Sequence, residues 1–184
     1  KTARQIELDI NRTFPYNKEL ATTAGRDALR HLLRRYAVRN PAVGYVQGMG
    51  FIGAVLILHL DKADAFCAFC HVIETLYPPN FFSESLFGLR VELATFGELV
   101  SEKLPRLSAH FDASGVAPQL YATQWFMTLF SCVMPWETIV RVWDVILCDG
   151  IRAVHGIGIA LLKSAEVSLL QCVDQQQMLY TLQL

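Results

Sequence analysis

Apolar side chains recur at helical spacing along nearly the whole chain, and no sustained strand alternation interrupts them. A first helix is predicted over about Thr2–Arg12. Thr13-Phe14-Pro15 stops it, because a residue before proline is pushed out of helical geometry. Residues 16–22 read as loop. Thr23 is placed to cap a helix running to Arg39, with Ala28, Leu29, Leu32, Leu33 and Tyr36 on one face and Asn40-Pro41 at its end. Tyr45–Leu60 is apolar almost all round, the mark of a buried central helix. Asp61 opens another, ending at Tyr77-Pro78-Pro79. Further helices are predicted over about 84–103, 105–111, 118–133, 135–148, 151–171 and 175–183, with Pro118 and Pro135 at helix starts. The fold class is therefore all-α, about ten helices in two helical subdomains. Ala113-Ser114-Gly115 breaks the chain, which puts the subdomain hinge near 113–117. Neither internal repeats nor low-complexity tracts occur.

At 184 residues and 53 % hydrophobic, the chain can bury a core as one domain or as two tightly joined halves. A net charge of −1, with no basic stripe interleaved with aromatics, argues against a nucleic-acid binder. Charge is uneven, however: residues 1–40 hold nine basic side chains against four acidic ones. That basic third either faces an acidic partner, a bound nucleotide or a membrane surface, or is simply a solvated helix face. The longest apolar run, Met49 to Leu58, is too short to cross a bilayer, so no transmembrane segment is expected. No N-terminal signal pattern is present. Five cysteines (Cys67, Cys70, Cys132, Cys148 and Cys172) sit mostly in apolar stretches, which suggests reduced, buried thiols and a cytoplasmic address. The abrupt ends, with helix expected at both Lys1 and Leu184, suggest a piece of a longer protein.

Two strings imitate cofactor motifs. Gly48-Met49-Gly50-Phe51-Ile52-Gly53 spells a dinucleotide-binding glycine pattern, which works only when a buried strand leads into it. Asn40-Pro41-Ala42-Val43-Gly44 is no such strand, so the glycines read as helix-packing positions. Cys67-Ala68-Phe69-Cys70-His71 has the spacing of a c-type haem attachment but lies in an apolar helical run. Cys132 and Cys148 are solitary and offer zinc no second pair, so no metal site is expected. The five histidines are scattered, and no serine sits in a nucleophile-elbow pattern, which leaves independent hydrolase chemistry without support.

Two residues carry chemistry of another kind. Arg12, expected in the last turn of its helix, follows Asp9 by three positions and can pair with it there. Taken alone this reads as a surface salt bridge with capping value. The functional reading is that Asp9 and the helix end hold the guanidinium outward, to be supplied to another protein's active site. Gln47, expected at the start of the apolar helix, reads alone as a satisfied buried amide or a weak cap. Gly48 behind it removes bulk, so another backbone can approach, and a helix N-terminus offers free N–H groups to phosphates. Arg plus Gln is the pair that phosphoryl transfer from GTP to water needs: one offsets charge on the phosphoryl oxygens, the other orients the water.

The surrounding strings resemble the TBC domain family, whose members activate Rab GTPases. Ile6, Asp9, Arg12, Thr13 and Pro15 match its Ile-x-x-Asp-x-x-Arg-Thr-x-Pro motif. Tyr45, Gln47, Gly48 and Met49 match its Tyr-x-Gln-Gly-Met motif. A third region, an aromatic helix at 125–130, then Pro135, Arg141-Val142-Trp143-Asp144 and Gly150, follows in family order. The resemblance implies a GTPase-activating domain whose arginine finger (Arg12) and glutamine finger (Gln47) enter the partner's nucleotide site. Asp9, Thr13, Tyr45 and Gly48 would support them, while Trp143 and Asp144 would be structural, a buried aromatic and a helix-linking polar group. It implies no cofactor of the chain's own, since GTP and Mg²⁺ come bound to a GTP-loaded Rab partner. The setting would be vesicle trafficking, with peripheral attachment to endomembranes through that partner or through regions beyond this chain. The alternative is a catalytically silent Rab-binding effector or scaffold.

The chain departs from the family in two places. Gly50 stands where the family often has asparagine, a loss expected to loosen the helix start or to remove a hydrogen bond around Gln47. The helices that usually precede the first motif are absent from these 184 residues, which bears on docking more than on chemistry.

Overall fold

The computed structural model describes residues 2–182, and among them every regular element is helical. The expected helical starts and stops at Lys1, Gln183 and Leu184 lie outside the described residues. The chain divides into two compact units between Leu86 and Phe87. The hinge expected at 113–117 is instead a turn inside the second unit. There Gly115 takes a positive φ of 69°, and Val116, 2 % exposed, plugs the core with its N–H on the Phe111 carbonyl at 2.8 Å. A buried anchor flanked by backbone bonds makes a tight reversal, not a flexible joint.

The first unit holds α1 (Thr2–Ile10), α2 (Thr23–Arg39), α3 (Met49–His59) and α4 (Lys62–His71), the last running into a π-helical turn at Val72–Leu76. Thr22, one residue before the expected cap, accepts from the Gly25 N–H at 3.0 Å to start α2. Asp61 caps α4 as expected, accepting from the N–H groups of Ala63 and Asp64 at 2.9 and 3.0 Å. The core is built around α3, which packs on α1, α2 and α4: its Met49, Ile52 and Ala54 are fully buried, and Leu29 and Leu33 of α2, Ile6 of α1 and Phe69 of α4 are at most 1 % exposed. The basic excess is largely consumed inside this unit, which favours the solvated-face reading. Arg30 and Arg34 converge on Glu7 (2.8 and 2.9 Å), Arg39 pairs with Glu74 (3.1 Å), and Arg35 stacks over the Phe66 ring (4.4 Å).

The second unit holds α5 (Phe87–Lys103), α6 (Pro105–Ala113), α7 (Pro118–Thr128), α8 (Trp136–Asp149), α9 (Ile151–Gln171) and α10 (Gln175–Thr181). Its core is aromatic, with Phe96, Trp125, Phe126 and Phe130 at most 1 % exposed. Helix α7 stops five residues short of the expected Val133. Leu129 and Phe130 take left-handed φ values of 48° and 63°, and Thr128 turns its hydroxyl back onto the Gln124 carbonyl at 2.8 Å. Helix α9 packs on α5, α6, α7, α8 and α10. Its 21 residues are, by length and composition alone, long and apolar enough to cross a membrane. Arg152, Lys163 and Glu166 interrupt its apolar pattern. The expectation of buried thiols holds only for Cys70: Cys67 and Cys148 are exposed, and Cys132 and Cys172 lie between. Helical periodicity places only some positions of an apolar stretch inward, so an apolar neighbourhood does not bury each cysteine.

Candidate functional site

Asp9 sits one residue from the end of α1 and is 2 % exposed, so its charge must be satisfied locally. One carboxylate oxygen accepts from the Gln5 amide (3.3 Å) and pairs with the Arg12 guanidinium; the other accepts from the Tyr45 hydroxyl at 2.5 Å. The Asp9 carbonyl takes three more bonds, from the N–H groups of Arg12 (3.1 Å) and Thr13 (3.0 Å) and from the Thr13 hydroxyl (2.8 Å). Both carboxylate oxygens and the carbonyl of this residue are engaged at the end of α1 and the turn after it.

Arg12 lies in that turn, two residues beyond the helix, and not in the last helical turn as expected. The Asp9 carbonyl ends the helix early by collecting those three donors. The Arg12 side chain is 49 % exposed, one edge held by the nearly buried Asp9 and the rest open to solvent. Thr13, 4 % exposed, and Phe14, at a φ of 44°, fold the chain back against α3, where the Phe14 ring meets Phe51 edge-on at 5.2 Å.

Gln47 is likewise outside its helix. It precedes Gly48, the N-cap of α3, and its side chain is exposed, with no hydrogen bond to another described residue. The buried-amide reading therefore fails. Gly48 is buried with a φ of 103°, a conformation that a side chain would strain. It makes the chain reversal that leaves Gln47 exposed. The expected free N–H groups of the helix start are also taken. Met49 bonds the Val46 carbonyl (3.2 Å), Phe51 bonds the Gly48 carbonyl (3.0 Å), and the Gly50 backbone bonds the Tyr45 hydroxyl.

Tyr45 ties the two motif segments together. Burial first, and then the hydrogen bond and charge of Asp9, push its phenol well above the usual range. It stays a neutral donor wherever the protein is folded near neutral pH. Arg12 and Gln47 thus project from two adjoining turns joined by Asp9–Tyr45, by Thr13 on Gly50 and by Phe14 on Phe51. Spacing alone had not pointed to Phe14 and Phe51; an aromatic inside the first motif and another two residues after the second were the available signal.

The third motif does different work, entirely within the second unit. Trp143, 4 % exposed, donates its indole N–H to the Leu129 carbonyl and the Ser131 hydroxyl, both at 3.1 Å. Asp144 does not link helices as expected. Its side chain is 66 % exposed and, among the described residues, pairs with Arg141, 4.0 Å away on the same helix, because the position about 100° round α8 from inward-facing Trp143 lies here on the solvent side.

Chemically, the first two motifs offer an exposed cation and an exposed amide on a tightly bonded base. Two clefts are lined by other residues: about 730 Å³ between α2, α3 and α4, and about 670 Å³ between α5 and α9. Such an arrangement can complete an anionic site that another molecule brings.

Comparison with known proteins shows the family. Residues 1–170 match the model of the Rab-GTPase-TBC domain. TBC1 domain family member 2A of Mus musculus is 37 % identical over 175 residues, covering 94 % of this chain and 19 % of the relative. TBC1 domain family member 2B of Xenopus tropicalis is 35 % identical over 174 residues, covering 94 % and 18 %. The chain thus spans about a fifth of the length of these curated relatives. The solved Chlamydomonas flagellar RabGAP TBC domain superposes over the whole chain and 62 % of its own, with a TM-score of 0.90 and 31 % identity. The Ypt/Rab-GAP domain of Gyp1p shares the fold, with a TM-score of 0.85 at 22 % identity over 99 % of this chain and 66 % of its own.

Proposed function

The chain belongs to the Rab-GTPase-TBC domain family, and from that premise we propose that it is a GTPase-activating domain for a Rab-family GTPase. The observation that carries the reading is the pair of exposed side chains on a shared buried base: Arg12 on Asp9, and Gln47 two residues from the tyrosine that binds that same Asp9.

In GTP hydrolysis a water attacks the γ-phosphorus while the bond to the β-phosphate oxygen breaks, and charge spreads over the transferred oxygens and the leaving group. Nucleotide and Mg²⁺ come with the GTPase. Arg12 would place its guanidinium against those oxygens, and its salt bridge to Asp9 fixes its direction before docking, so little entropy remains to be lost. Gln47 would accept a hydrogen bond from the attacking water and orient it. No proton transfer through either side chain is required. The partner is the GTP-bound state, because only that state carries the γ-phosphate for both residues to meet. A cytoplasmic, peripherally membrane-attached setting follows from such a partner.

Single-turnover GTP hydrolysis across a panel of GTP-loaded Rabs tests this. An arginine finger contributes roughly 10³–10⁵ in rate, and Arg12→Lys, which keeps the charge but not the planar fork, should lose most of it. Gln47→Ala should lose roughly 10²–10³, the usual effect of one pre-organised polar group. Parent-like acceleration by both variants on every responsive Rab would sink the mechanism. Tight binding to a GTP-loaded Rab without acceleration would replace it with the silent binding module.

A further inference from the structure

The loop that carries Gln47 leaves α2 at Asn40, and the Asn40 side chain is bound to a residue outside all three motifs. We propose that Glu74, in the π-helical turn, is a positioning residue: it holds the Asn40 amide and so sets where the loop presents Gln47, without acting on Arg12. The proposal rests on the activation reading above.

Backbone and side chain of Asn40 are both engaged. Its N–H bonds the Tyr36 carbonyl at 2.9 Å to end α2, and its carbonyl takes the Gly44 N–H at 2.7 Å. Its side-chain oxygen accepts from the Val43 N–H at 3.3 Å. Its amide nitrogen donates to the Glu74 carboxylate at 3.1 Å and to the Tyr36 hydroxyl at 3.3 Å. A carboxylate can only accept, so Glu74 dictates which end of the amide faces it and leaves the oxygen for Val43. Two bonds to one residue thus fold residues 41–44 into a tight turn, and Gly44, at a φ of 63°, leads the chain on to Tyr45. Gln47 then lies between two held points, Tyr45 on Asp9 and Gly48 at the start of α3.

Glu74 is itself held. The Tyr77 N–H reaches back to the Val72 carbonyl at 3.2 Å, and Ile73 and Tyr77 on either side of Glu74 are buried. Arg39 pairs with its second carboxylate oxygen at 3.1 Å. The Asn40 hydrogen bond, ahead of the Arg39 guanidinium, pulls the Glu74 carboxyl below its ordinary value of 4.5, so it is a charged acceptor at neutral pH. Arg12 is instead held by Asp9 directly. A misplacement of about 1 Å can cost roughly 10²-fold in rate, so a loop released from Glu74 is expected to be felt through Gln47.

Exchanging the two groups tests this. In the 184-residue chain, Asn40→Asp sets two carboxylates against each other. It should lower the single-turnover rate constant at saturating activator roughly 10- to 100-fold, and by no more than Gln47→Ala does. Asn40→Asp/Glu74→Gln again faces one donor with one acceptor and leaves an oxygen for Val43, so it should regain most of the parent rate. In a Gln47→Ala background, Asn40→Asp should cost little further. The backbone N–H NMR resonance of Gln47 reports the loop without any partner. It should move in Asn40→Asp and return in the exchange, while the Nε–H resonance of Arg12 stays in place. If Asn40→Asp fails to fold, Glu74→Leu, which removes the acceptor without adding charge, replaces it with the same expected dependence on Gln47.

A parent-like rate with an unmoved Gln47 resonance would overturn the proposal. So would a full further loss in the Gln47→Ala background, or an exchange no faster than Asn40→Asp alone. A parent chain that accelerates no Rab overturns the activation reading instead, and the Gln47 resonance then decides the role of Glu74 alone.

Discussion

The turn after α1 in the first unit and the turn after α7 in the second are both chain reversals held by one buried polar side chain, and they use it differently. In the first, Asp9 satisfies itself on Gln5, Tyr45 and Arg12, which leaves the Arg12 guanidinium half in solvent. In the second, Trp143 spends its only donor on Leu129 and Ser131, and the residues it secures are buried: Leu129 and Phe130 are 0 % exposed and Ser131 1 %. A carboxylate can accept several bonds and still present a cation to a partner, whereas an indole offers one N–H and a large apolar body. The first turn is therefore equipped to act outward and the second only to hold its own chain in place.

The largest expected effect tests the inward turn. Trp143→Ala removes a nearly buried indole and leaves the left-handed Leu129–Phe130 reversal without its side-chain anchor, so unfolding free energy in urea should fall by about 3–5 kcal/mol. Trp143→Phe keeps much of the bulk and loses the N–H, for a smaller loss of about 1–3 kcal/mol. Per folded molecule, Trp143→Phe should still accelerate hydrolysis like the parent. If Trp143→Phe is stable but inactive, the division between an outward and an inward turn is wrong.

Next comes the residue on which the outward turn depends. Tyr45→Phe deprives the nearly buried Asp9 of a donor and the Gly50 backbone of its partner, at about 1–3 kcal/mol. Unlike the tryptophan change, it should lower activation as well as stability, because the same hydroxyl joins the Arg12 turn to the Gln47 segment. Loss of stability with an unchanged rate at saturating activator would reduce Tyr45 to an ordinary core residue.

Much of this was legible in the sequence, and the gaps have physical causes. Helix periodicity and proline signals placed ten helices, since apolar spacing and proline sterics act locally. The unit boundary was misjudged because Ser114-Gly115 and the segment before Phe87 look alike to local rules: only Val116's burial makes the former a tight internal turn. Arg12 and Gln47 were legible as a pair through their motifs, but both were put inside helices. The bonds that move them out, three donors on the Asp9 carbonyl and a left-handed Gly48, depend on Tyr45, Gly50 and the burial of Thr13, which no spacing rule encodes. Asp144 was misread for a related reason. Adjacency to Trp143 in the motif says nothing about which face of α8 it occupies.

The smallest effect concerns what holds α1 in place behind the outward turn. Glu7, on α1, receives Arg30 through both carboxylate oxygens (2.8 and 3.0 Å) and Arg34 at 2.9 Å, from α2. The Arg30 hydrogen bond, more than the general field of the two guanidiniums, pulls the Glu7 carboxyl below its ordinary value of 4.5. A depressed carboxyl stabilises the fold fully above its unfolded value and loses that contribution as pH falls through the folded one. Glu7→Gln should therefore melt a few degrees below the parent at neutral pH and low salt. The gap should close as the pH drops below about 4.5, and it should also shrink in high salt, because these side chains are partly open to solvent. Activation should hardly change, since Glu7 reaches α2 and not the Arg12 turn. A melting gap that persists in acid would mean that Glu7 acts through packing and not charge. A loss of activation at neutral pH would mean that the position of α1 as a whole, and not the Asp9–Tyr45–Gly50 contacts, sets where Arg12 points.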